Sequence, residues 1–285
     1  MAKRKVVRKT VSRKPSRVPI HIKNKIFAIA MALVVIGSCI GIYYLKIKPL
    51  GLSLWESYQN IASPNIRTIK IDAGMRKEEI VVRFAKTLGW TEAEQKQLIA
   101  IHTKANNNRS EGYYLPGTYV VSAKAKPVEV SRLITQRFKE KVLDPQTKNG
   151  KVNVINMDAA IKIASIIQRE AAGKQDARIV SGVIWNRIFQ NMTLDMDATL
   201  QYAKGNNQKW WPKVVPADKY IVSPFNTYKN KGLPPEAISN PSVDAIQAAL
   251  NPEKTNSIFY IHDDYGNIHT ARTYAEHLAN IRRYY

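Results

Sequence analysis

The chain has 285 residues, of which 45% are hydrophobic and 23% charged, an ordinary composition for a globular protein with room for one or two domains. Its formal charge of +22 at pH 7 is high, because 44 Lys and Arg residues face only 22 Asp and Glu. The only cysteine, Cys39, excludes an intrachain disulfide bond and a cysteine-based metal site. The histidines show no HExxH pattern, so we expect neither a metal ion nor a cofactor.

A basic segment and then an apolar segment open the chain. Ten Lys and Arg residues lie among the first 25 positions, with no Asp or Glu between them, and residues 26–45 carry no charge. Twenty helical residues span about 30 Å, which matches the hydrocarbon core of a bilayer. We therefore predict one transmembrane helix at 26–45. Because basic flanks stay on the cytoplasmic side, the tail at 1–25 is predicted to be cytoplasmic and the chain after residue 45 to lie outside.

Residues 46–66 are interpreted as a spacer next to the membrane, and a first small domain is predicted at 67–143. Gly89 ends one helical pattern, and Thr91 with Glu94 forms a capping box that begins the next. The predicted elements, in chain order, are a strand at Thr68–Ile71, helices at Met75–Leu88 and Thr91–Lys104, a strand at Gly117–Val121 and a helix at Val128–Lys141.

Asp144–Gly150 has the turn-forming composition of a linker, and a second domain is predicted at 151–285. Its predicted elements are helices at Met157–Ala172, Asp176–Phe189 and Ser242–Leu250, a Pro- and Gly-rich loop at Ser223–Pro241, a hairpin with strands at Ser257–His262 and Ile268–Thr270, and a final helix at Ala275–Tyr285. Helices and strands that do not alternate regularly predict an α+β fold.

Glu170 continues an apolar stripe on the predicted helix Met157–Ala172. The stripe consists of residues at helical spacing: Ala159, Ile163, Ile166 and Ile167. Ser165 falls on another face and is expected to be solvated. Partial burial disfavours an ionised carboxylate and raises its pKa, which suits a general acid near neutral pH. The alternative is a structural carboxylate at the helix edge that pairs with an arginine or caps a loop.

Several motifs follow one another in the second domain. The segment 164–170 reads ASIIQRE, and 183–188 reads VIWNRI; the motifs after them are Met192-Thr193-Leu194, Asp197 with Thr199 and Tyr202, SPFNTYKNKGLPP at 223–235, and Asn240-Pro241. In this order they resemble the YceG-like (MltG) family of endolytic murein transglycosylases. The first motif is similar to that family's ASIVEKE, whose catalytic glutamate falls on Glu170. The resemblance covers residues 67–285.

The segment 111–119, EGYYLPGTY, is similar to that family's E-G-Y-L-F-P-D-T-Y, and residues 67–143 resemble its LysM-like N-terminal domain. The chain also departs from the family pattern at five positions. Gln168 stands in place of a glutamate, Gly117 of an aspartate, Ala198 of a proline, and both Ala203 and Glu236 of a glycine. None of these departures falls on the catalytic position.

The resemblance implies cleavage of the β-1,4 bond between N-acetylmuramic acid and N-acetylglucosamine in peptidoglycan. The muramic acid 6-hydroxyl would close onto C1 and leave a 1,6-anhydro end. One carboxyl group, Glu170, could then act first as acid and then as base. A hydrolase would need a second carboxylate, for which Asp176, Asp195 and Asp197 are candidates.

The predicted transmembrane helix indicates a single-pass protein of the bacterial plasma membrane, and the resemblance implies that it acts on nascent glycan strands. Its implied partners are peptidoglycan, the membrane and peptidoglycan synthases. Nucleic acid is not expected as a partner, because the densest basic cluster adjoins the predicted transmembrane helix, where anionic lipids already explain it. The rival interpretation is a non-catalytic peptidoglycan-binding scaffold of the cell-wall synthesis machinery.

Polar residues in the matched segments are expected to bind the substrate: Asn186, Asp197, Thr199, Ser223, Asn226 and Tyr228. For four of them a structural alternative stays open. Ser223 and Asn226 could stabilise a turn, Asn186 and Arg187 could lock two helices together, and Asp197 could pair with Arg187. The pair Trp210-Trp211 could contact sugar, enter the membrane interface, or pack under its own loop.

Overall fold

The computed structural model describes residues 65–148 and 156–285. The predicted cytoplasmic tail and transmembrane helix lie outside the described residues, as does nearly all of the spacer. Among the helices in the described ranges, none is long and apolar enough to cross a membrane. The described residues belong to one compact unit, Ser63–Tyr285, and combine helices with two small sheets, which confirms the predicted α+β fold.

The first part of this unit pairs two strands and covers them with helices. Its elements are β1 at Ile66–Ile71, α1 at Lys77–Leu88, α2 at Glu92–Ala105, β2 at Gly117–Ser122 and α3 at Pro127–Phe138. The strands are antiparallel, with Ile69 opposite Tyr119. The predicted capping box of Thr91 and Glu94 begins α2, and Gly89 ends α1 in a left-handed conformation with φ 69°. Apolar side chains from all five elements close a small core.

The predicted linker begins as a helix rather than a loop. A π-helical turn at Lys139–Leu143 continues α3 directly into α4 at Asp144–Lys148. Val142 lies in this turn, is fully buried and packs into the core of the second part. Its packing fixes the chain immediately before the predicted linker. The domain boundary predicted between 143 and 151 stays a prediction.

The second part is mostly helical. Its elements are α5 at Met157–Glu170, α6 at Lys174–Phe189, α7 at Asp197–Lys204, a 3-10 helix at Pro216–Tyr220, α8 at Val243–Leu250, β3 at Phe259–His262, β4 at Ile268–Ala271 and α9 at Tyr274–Tyr284. The predicted hairpin is confirmed, with β3 and β4 antiparallel and Gly266 in the turn at φ 80°. The eight-residue helix α7 was not predicted.

Helix α5 is the centre of the second core. Ile163, Ile166 and Ile167 are fully buried and belong to one cluster with α6 and α8. The expectation that Ser165 is solvated was wrong. Its side chain is fully buried. The buried hydroxyl has both its partners, because Oγ accepts a hydrogen bond from the Ile238 backbone at 3.0 Å and donates one to the Lys162 carbonyl at 2.7 Å. The hydroxyl thus fastens the Pro- and Gly-rich loop to α5.

Glu111 joins the two parts of the unit. Its buried carboxylate accepts a hydrogen bond from the Lys77 backbone N–H at 3.0 Å, at the first residue of α1. Asn240 Nδ2 and, at 3.5 Å, the Tyr202 hydroxyl donate to it from the second part. Burial is the main cause that raises the pKa of Glu111 to about 8, and the Lys77 charge opposes it.

This raised pKa predicts a pH-dependent stability. The folded chain keeps the Glu111 proton above the ordinary pKa of 4.5, whereas the unfolded chain has lost it. The stabilisation from the protonated carboxyl is therefore complete below about 4.5 and is lost as pH rises through about 8, with a slope of up to about 1.4 kcal/mol per pH unit. Urea unfolding across this range should show the slope in the wild type and a flatter one in Glu111→Gln. Identical slopes would contradict the account of Glu111.

Candidate active site

Glu170 is the last residue of α5, and its carboxylate lines a cavity of about 520 Å³. Helix α5 brings it there because the apolar stripe buries the preceding turn, and the chain becomes extended at Ala171. The opposite walls of the cavity come from the segment before α7, the first turn of α7, strand β3 and helix α9. The acidic side chains among the lining residues are Glu170, Asp195 and Asp197, and the basic ones are Arg187, Lys219, His262 and His277.

Two donors hold the Glu170 carboxylate, one on each oxygen. Oε1 accepts the backbone N–H of Ala198 at 3.2 Å, and Oε2 accepts the Tyr260 hydroxyl of β3 at 3.2 Å. Ala198 is the second residue of α7, where backbone N–H groups have no partner within the helix and the helix dipole favours a negative charge. The carboxylate is therefore oriented from two elements that lie far from it in sequence.

The pKa of Glu170 is raised above its ordinary value, and burial is the largest cause. The hydrogen bonds from Ala198 and Tyr260 act against burial, while the charge of Asp197 adds to it. This direction agrees with the raised pKa that the apolar stripe predicts. A carboxyl group with a raised pKa stays protonated up to a pH closer to neutral, so it can donate and later recover a proton in the cavity.

Asp197 and Tyr228 are the two predicted substrate-binding residues that the structure brings to the same cavity. The Tyr228 hydroxyl donates to Asp197 Oδ1 at 2.7 Å, so the pair forms one polar part of the cavity wall. Asp197 lies at the first residue of α7, beside the Ala198 N–H that contacts Glu170. These two side chains can meet a ligand in the cavity.

The other four predicted substrate-binding residues do not line that cavity. Thr199 and Asn226 are fully buried; Thr199 Oγ1 donates to the Met196 carbonyl at 2.7 Å, and Asn226 Nδ2 donates to the Ile221 carbonyl at 2.8 Å. Ser223 Oγ accepts the Phe225 N–H at 3.2 Å. The geometry of Ser223 and Asn226 favours the alternative in which they stabilise a turn, and Thr199 likewise bonds within the protein.

Asn186 lies at a different cavity, which α6 shares with residues 252–256. Its Nδ2 donates to the Thr255 carbonyl at 2.7 Å and to the Ser257 carbonyl at 3.0 Å. The amide therefore ties α6 to the segment that leads into β3. This contact resembles the predicted locking role, although the partner is a loop and not a second helix.

The structure does not show the alternative in which Arg187 pairs with Asp197, because Arg187 pairs with Asp195. Nη1 lies 3.0 Å from Asp195 Oδ2, and the guanidinium also donates to the Leu194 carbonyl at 2.8 Å and to the Ile258 carbonyl at 2.6 Å. Asp195 has φ 54°, so the chain turns sharply here and presents its carboxylate to α6, while Asp197 faces Tyr228. Arg187 thus closes one side of the cavity.

Asp176, the third candidate for a second carboxylate, lies behind the cavity wall. It is buried, and its Oδ2 bonds to His262 Nε2 at 2.8 Å and accepts the Ala172 N–H at 2.6 Å. Its position suits the orientation of His262, which does line the cavity.

Sequence reasoning missed Tyr260 and His262 as site residues. Residues two apart on a strand face the same side, so the strand prediction groups Tyr260 with His262, although all four residues of β3 line the cavity. Tyr260 and His262 both line the cavity from β3. Which side of the strand faces Glu170 depends on how the hairpin packs, and this cannot be deduced from strand periodicity alone.

Trp210 and Trp211 pack against the first part of the unit and are partly buried. Trp211 Nε1 donates to Glu79 at 3.3 Å, and the Arg169 guanidinium lies 3.9 Å from the centre of its ring. Arg76 lies 5.1 Å from the ring centre of Trp210. These contacts favour the packing interpretation.

Three departures from the family pattern have local explanations. Gln168 Oε1 accepts the Ser242 N–H at 2.9 Å at the start of α8. Gly117 has φ 138°, and a side chain there would collide with Arg137. The third, Ala198, supplies a backbone N–H that a proline would lack. Within residues 65–148 and 156–285, no group of three His, Cys, Asp or Glu side chains is placed to hold a metal ion.

Comparisons with known proteins match most of the chain. The sequence profile of the YceG-like family matches residues 23–283. A Bacillus subtilis protein named endolytic murein transglycosylase is 31% identical over 169 residues, which cover 59% of this chain and 46% of that protein. A Streptococcus pneumoniae protein of the same name is 29% identical over 178 residues, 61% of this chain and 32% of that one. The chain thus spans a third to a half of the length of these relatives.

A solved structure from Listeria monocytogenes, described as a YceG-like protein, has the same fold. It superposes with a TM-score of 0.63 at 25% sequence identity and covers 74% of this chain and 75% of its own.

Proposed function

Because the chain belongs to the YceG-like family, we propose that it is an endolytic lytic transglycosylase that cleaves peptidoglycan strands with Glu170 as its acid and base. The observation that carries the proposal is the placement of Glu170 in the cavity. Its carboxylate is partly buried, has a raised pKa and is oriented by one donor on each oxygen. The names of the matched Bacillus and Streptococcus proteins support the reaction class.

The proposed reaction has two proton transfers at one carboxyl group. The protonated Glu170 gives its proton to the glycosidic oxygen as the bond from that oxygen to C1 of N-acetylmuramic acid breaks. The resulting carboxylate then takes the proton of the 6-hydroxyl, whose oxygen forms the new bond to C1. Glu170 ends as it began, protonated, and no water is consumed.

The contacts of the cavity fit this single-carboxyl scheme. Asp195 is paired with Arg187, and Asp197 accepts the Tyr228 hydroxyl, so each is engaged with the protein. Asp197 and Tyr228 are proposed to contact sugar hydroxyls and to keep the ring in a reactive shape, which makes the intramolecular attack efficient. Thr199, Ser223, Asn226 and Asn186 are proposed to act indirectly, by holding the backbone around the cavity.

We extend the proposal to the remainder of the chain. The uncharged segment 26–45 would anchor the protein in a bacterial plasma membrane as a single span, with residues 1–25 in the cytoplasm. Residues 67–143 would form the LysM-like part that contacts the glycan strand. Such a protein would act on nascent strands beside peptidoglycan synthases.

Digestion of purified glycan strands by the full-length chain tests the activity. An endolytic transglycosylase should shorten long strands to fragments of intermediate length, and mass spectrometry should find 1,6-anhydro ends on them. Disaccharide release without intermediate fragments would contradict the endolytic mode. Strands that are bound but stay intact would favour the non-catalytic scaffold.

A further inference from the structure

Two cationic side chains, those of Arg187 and Lys219, line the cavity that contains Glu170, and Arg187 already has partners within the protein. The Arg187 guanidinium is buried and donates to backbone carbonyls and to Asp195. Breaking these contacts to bind a ligand would separate a buried guanidinium from Asp195 and from two backbone carbonyls, which is costly. Arg187 therefore builds the wall of the cavity and is not available to a substrate.

Lys219 differs from Arg187 in this respect. It lies in the 3-10 helix Pro216–Tyr220 and is solvent-exposed at the cavity. Its neighbour Asp218 is turned away and binds Lys204 Nζ at 2.6 Å. In the two ranges that the structure describes, no Asp or Glu oxygen lies within 4.0 Å of the Lys219 ammonium.

The backbone that carries this ammonium group is nevertheless well defined. The Lys219 carbonyl accepts Asn226 Nδ2 at 3.0 Å, and Asn226 is fully buried, so the backbone is fixed. Lys219 Nζ lies 4.8 Å from the ring centre of Tyr228, within the range of a cation–π contact. The same Tyr228 donates to Asp197 on the cavity wall. The charge is thus held beside the proposed sugar-binding pair.

The charges around the cavity explain why such a cation would matter. Three carboxyl groups line it, and only Asp195 has an arginine partner. Because Glu170 is protonated in the proposed reaction and Asp195 is paired with Arg187, a negatively charged group of a substrate would be repelled mainly by Asp197 unless a cation faced it. Lysine ammonium groups bind carboxylates as point charges with three donors.

Given the proposed function, on which this step rests, we infer that Lys219 binds a carboxylate of the glycan strand and so selects N-acetylmuramic acid residues that carry a negative charge. The carboxylate has two possible sources. It is the lactyl carboxylate where the stem peptide has been removed, or a carboxylate of the stem peptide where it remains. In both cases the recognised group is the same.

The test compares Lys219→Met with the wild type on three kinds of strand. The first carries stem peptides, the second has been stripped by an amidase, and the third has been stripped and its lactyl carboxylates converted to neutral amides. Lys219→Met keeps the aliphatic stem over Tyr228 but removes the charge. It should raise KM about fivefold to tenfold on those charged strands that present the recognised carboxylate, with little change in kcat, and it should leave KM on neutral strands unchanged. Lys219→Arg should retain most of the effect.

The pattern across the strands identifies the source of the carboxylate. A KM increase on stripped strands alone indicates the lactyl group, and one on peptide-bearing strands alone indicates the stem peptide. The matched control is Lys213→Met, an exposed lysine outside the cavity lining, which should behave as the wild type. An equal effect of Lys219→Met on neutral strands, or no effect on any strand, would overturn the inference.

Binding of glycan strands tests the role of Lys219 independently of the proposed cleavage activity. Equilibrium binding of the same three strands, measured without turnover, should show weaker and less salt-dependent binding for Lys219→Met on charged strands. If the wild type cuts no strand, the proposed activity fails, and this binding comparison still decides the role of Lys219.

Discussion

Glu170→Gln should lower kcat on glycan strands by about 10³-fold and leave the fold intact. Glutamine has nearly the same shape, and its carbonyl oxygen can still accept the hydrogen bond from Ala198 or Tyr260. It can neither give a proton to the glycosidic oxygen nor take one from the 6-hydroxyl. Because both transfers use the same group in the proposed reaction, no other side chain can substitute for half of the cycle. Single-turnover cleavage of strands of defined length would measure the loss.

The control for this variant is Glu253→Gln, whose carboxylate is half exposed and pairs loosely with Arg178 at 3.6 Å. It should cleave strands at the wild-type rate. Thermal unfolding of Glu170→Gln should occur at or above the wild-type midpoint, since a partly buried ionisable group has been removed. Activity of Glu170→Gln within tenfold of the wild type would show that Glu170 is not the acid and base.

Ala198→Pro should move the alkaline limb of the pH profile of kcat/KM upward by about one pH unit. The Ala198 N–H bonds to Glu170 Oε1 and favours the ionised carboxylate, so its removal raises the pKa of Glu170 further. A general acid with a higher pKa stays protonated to higher pH, which shifts the limb in that direction. Proline lacks this N–H and is tolerated in the first turn of a helix, where Ala198 lies.

Two matched variants separate the lost hydrogen bond from a change in structure. Ala198→Gly keeps the N–H and should leave the limb in place. Proline also restricts the preceding Asp197, so an ester in place of the Ala198 amide, which removes only the N–H, should reproduce the shift. Tyr260→Phe removes the donor on the other oxygen and should shift the limb in the same direction. An unmoved limb in both Ala198→Pro and the ester would contradict this role of Ala198.

The fold and the site differ in how much of them the sequence predicts. Helix α5 and its apolar stripe are local patterns, so the position of Glu170 and the direction of its pKa shift follow from the spacing of a few residues. Tyr260 lies ninety residues from Glu170 in sequence, and its contact depends on how the hairpin packs. No local pattern reports such a contact.

The polar residues of the matched motifs illustrate a second limit. Thr199 and Asn226 have the chemistry of sugar ligands, yet both are fully buried and bond to the backbone. A hydroxyl or amide serves a turn as well as a ligand, and only burial separates the two uses. Lys219 was overlooked for the opposite reason, because one lysine in a basic chain carries no signal until its cavity is known.

Cleavage in ¹⁸O-labelled water tests the central claim most directly. If Glu170 serves as both acid and base for attack by the 6-hydroxyl, the new ends contain no oxygen from water. Mass spectrometry of the fragments should then show 1,6-anhydro ends without ¹⁸O. Reducing ends that carry ¹⁸O at C1 would show that water attacks, and the chain would be a hydrolase that uses a second carboxylate.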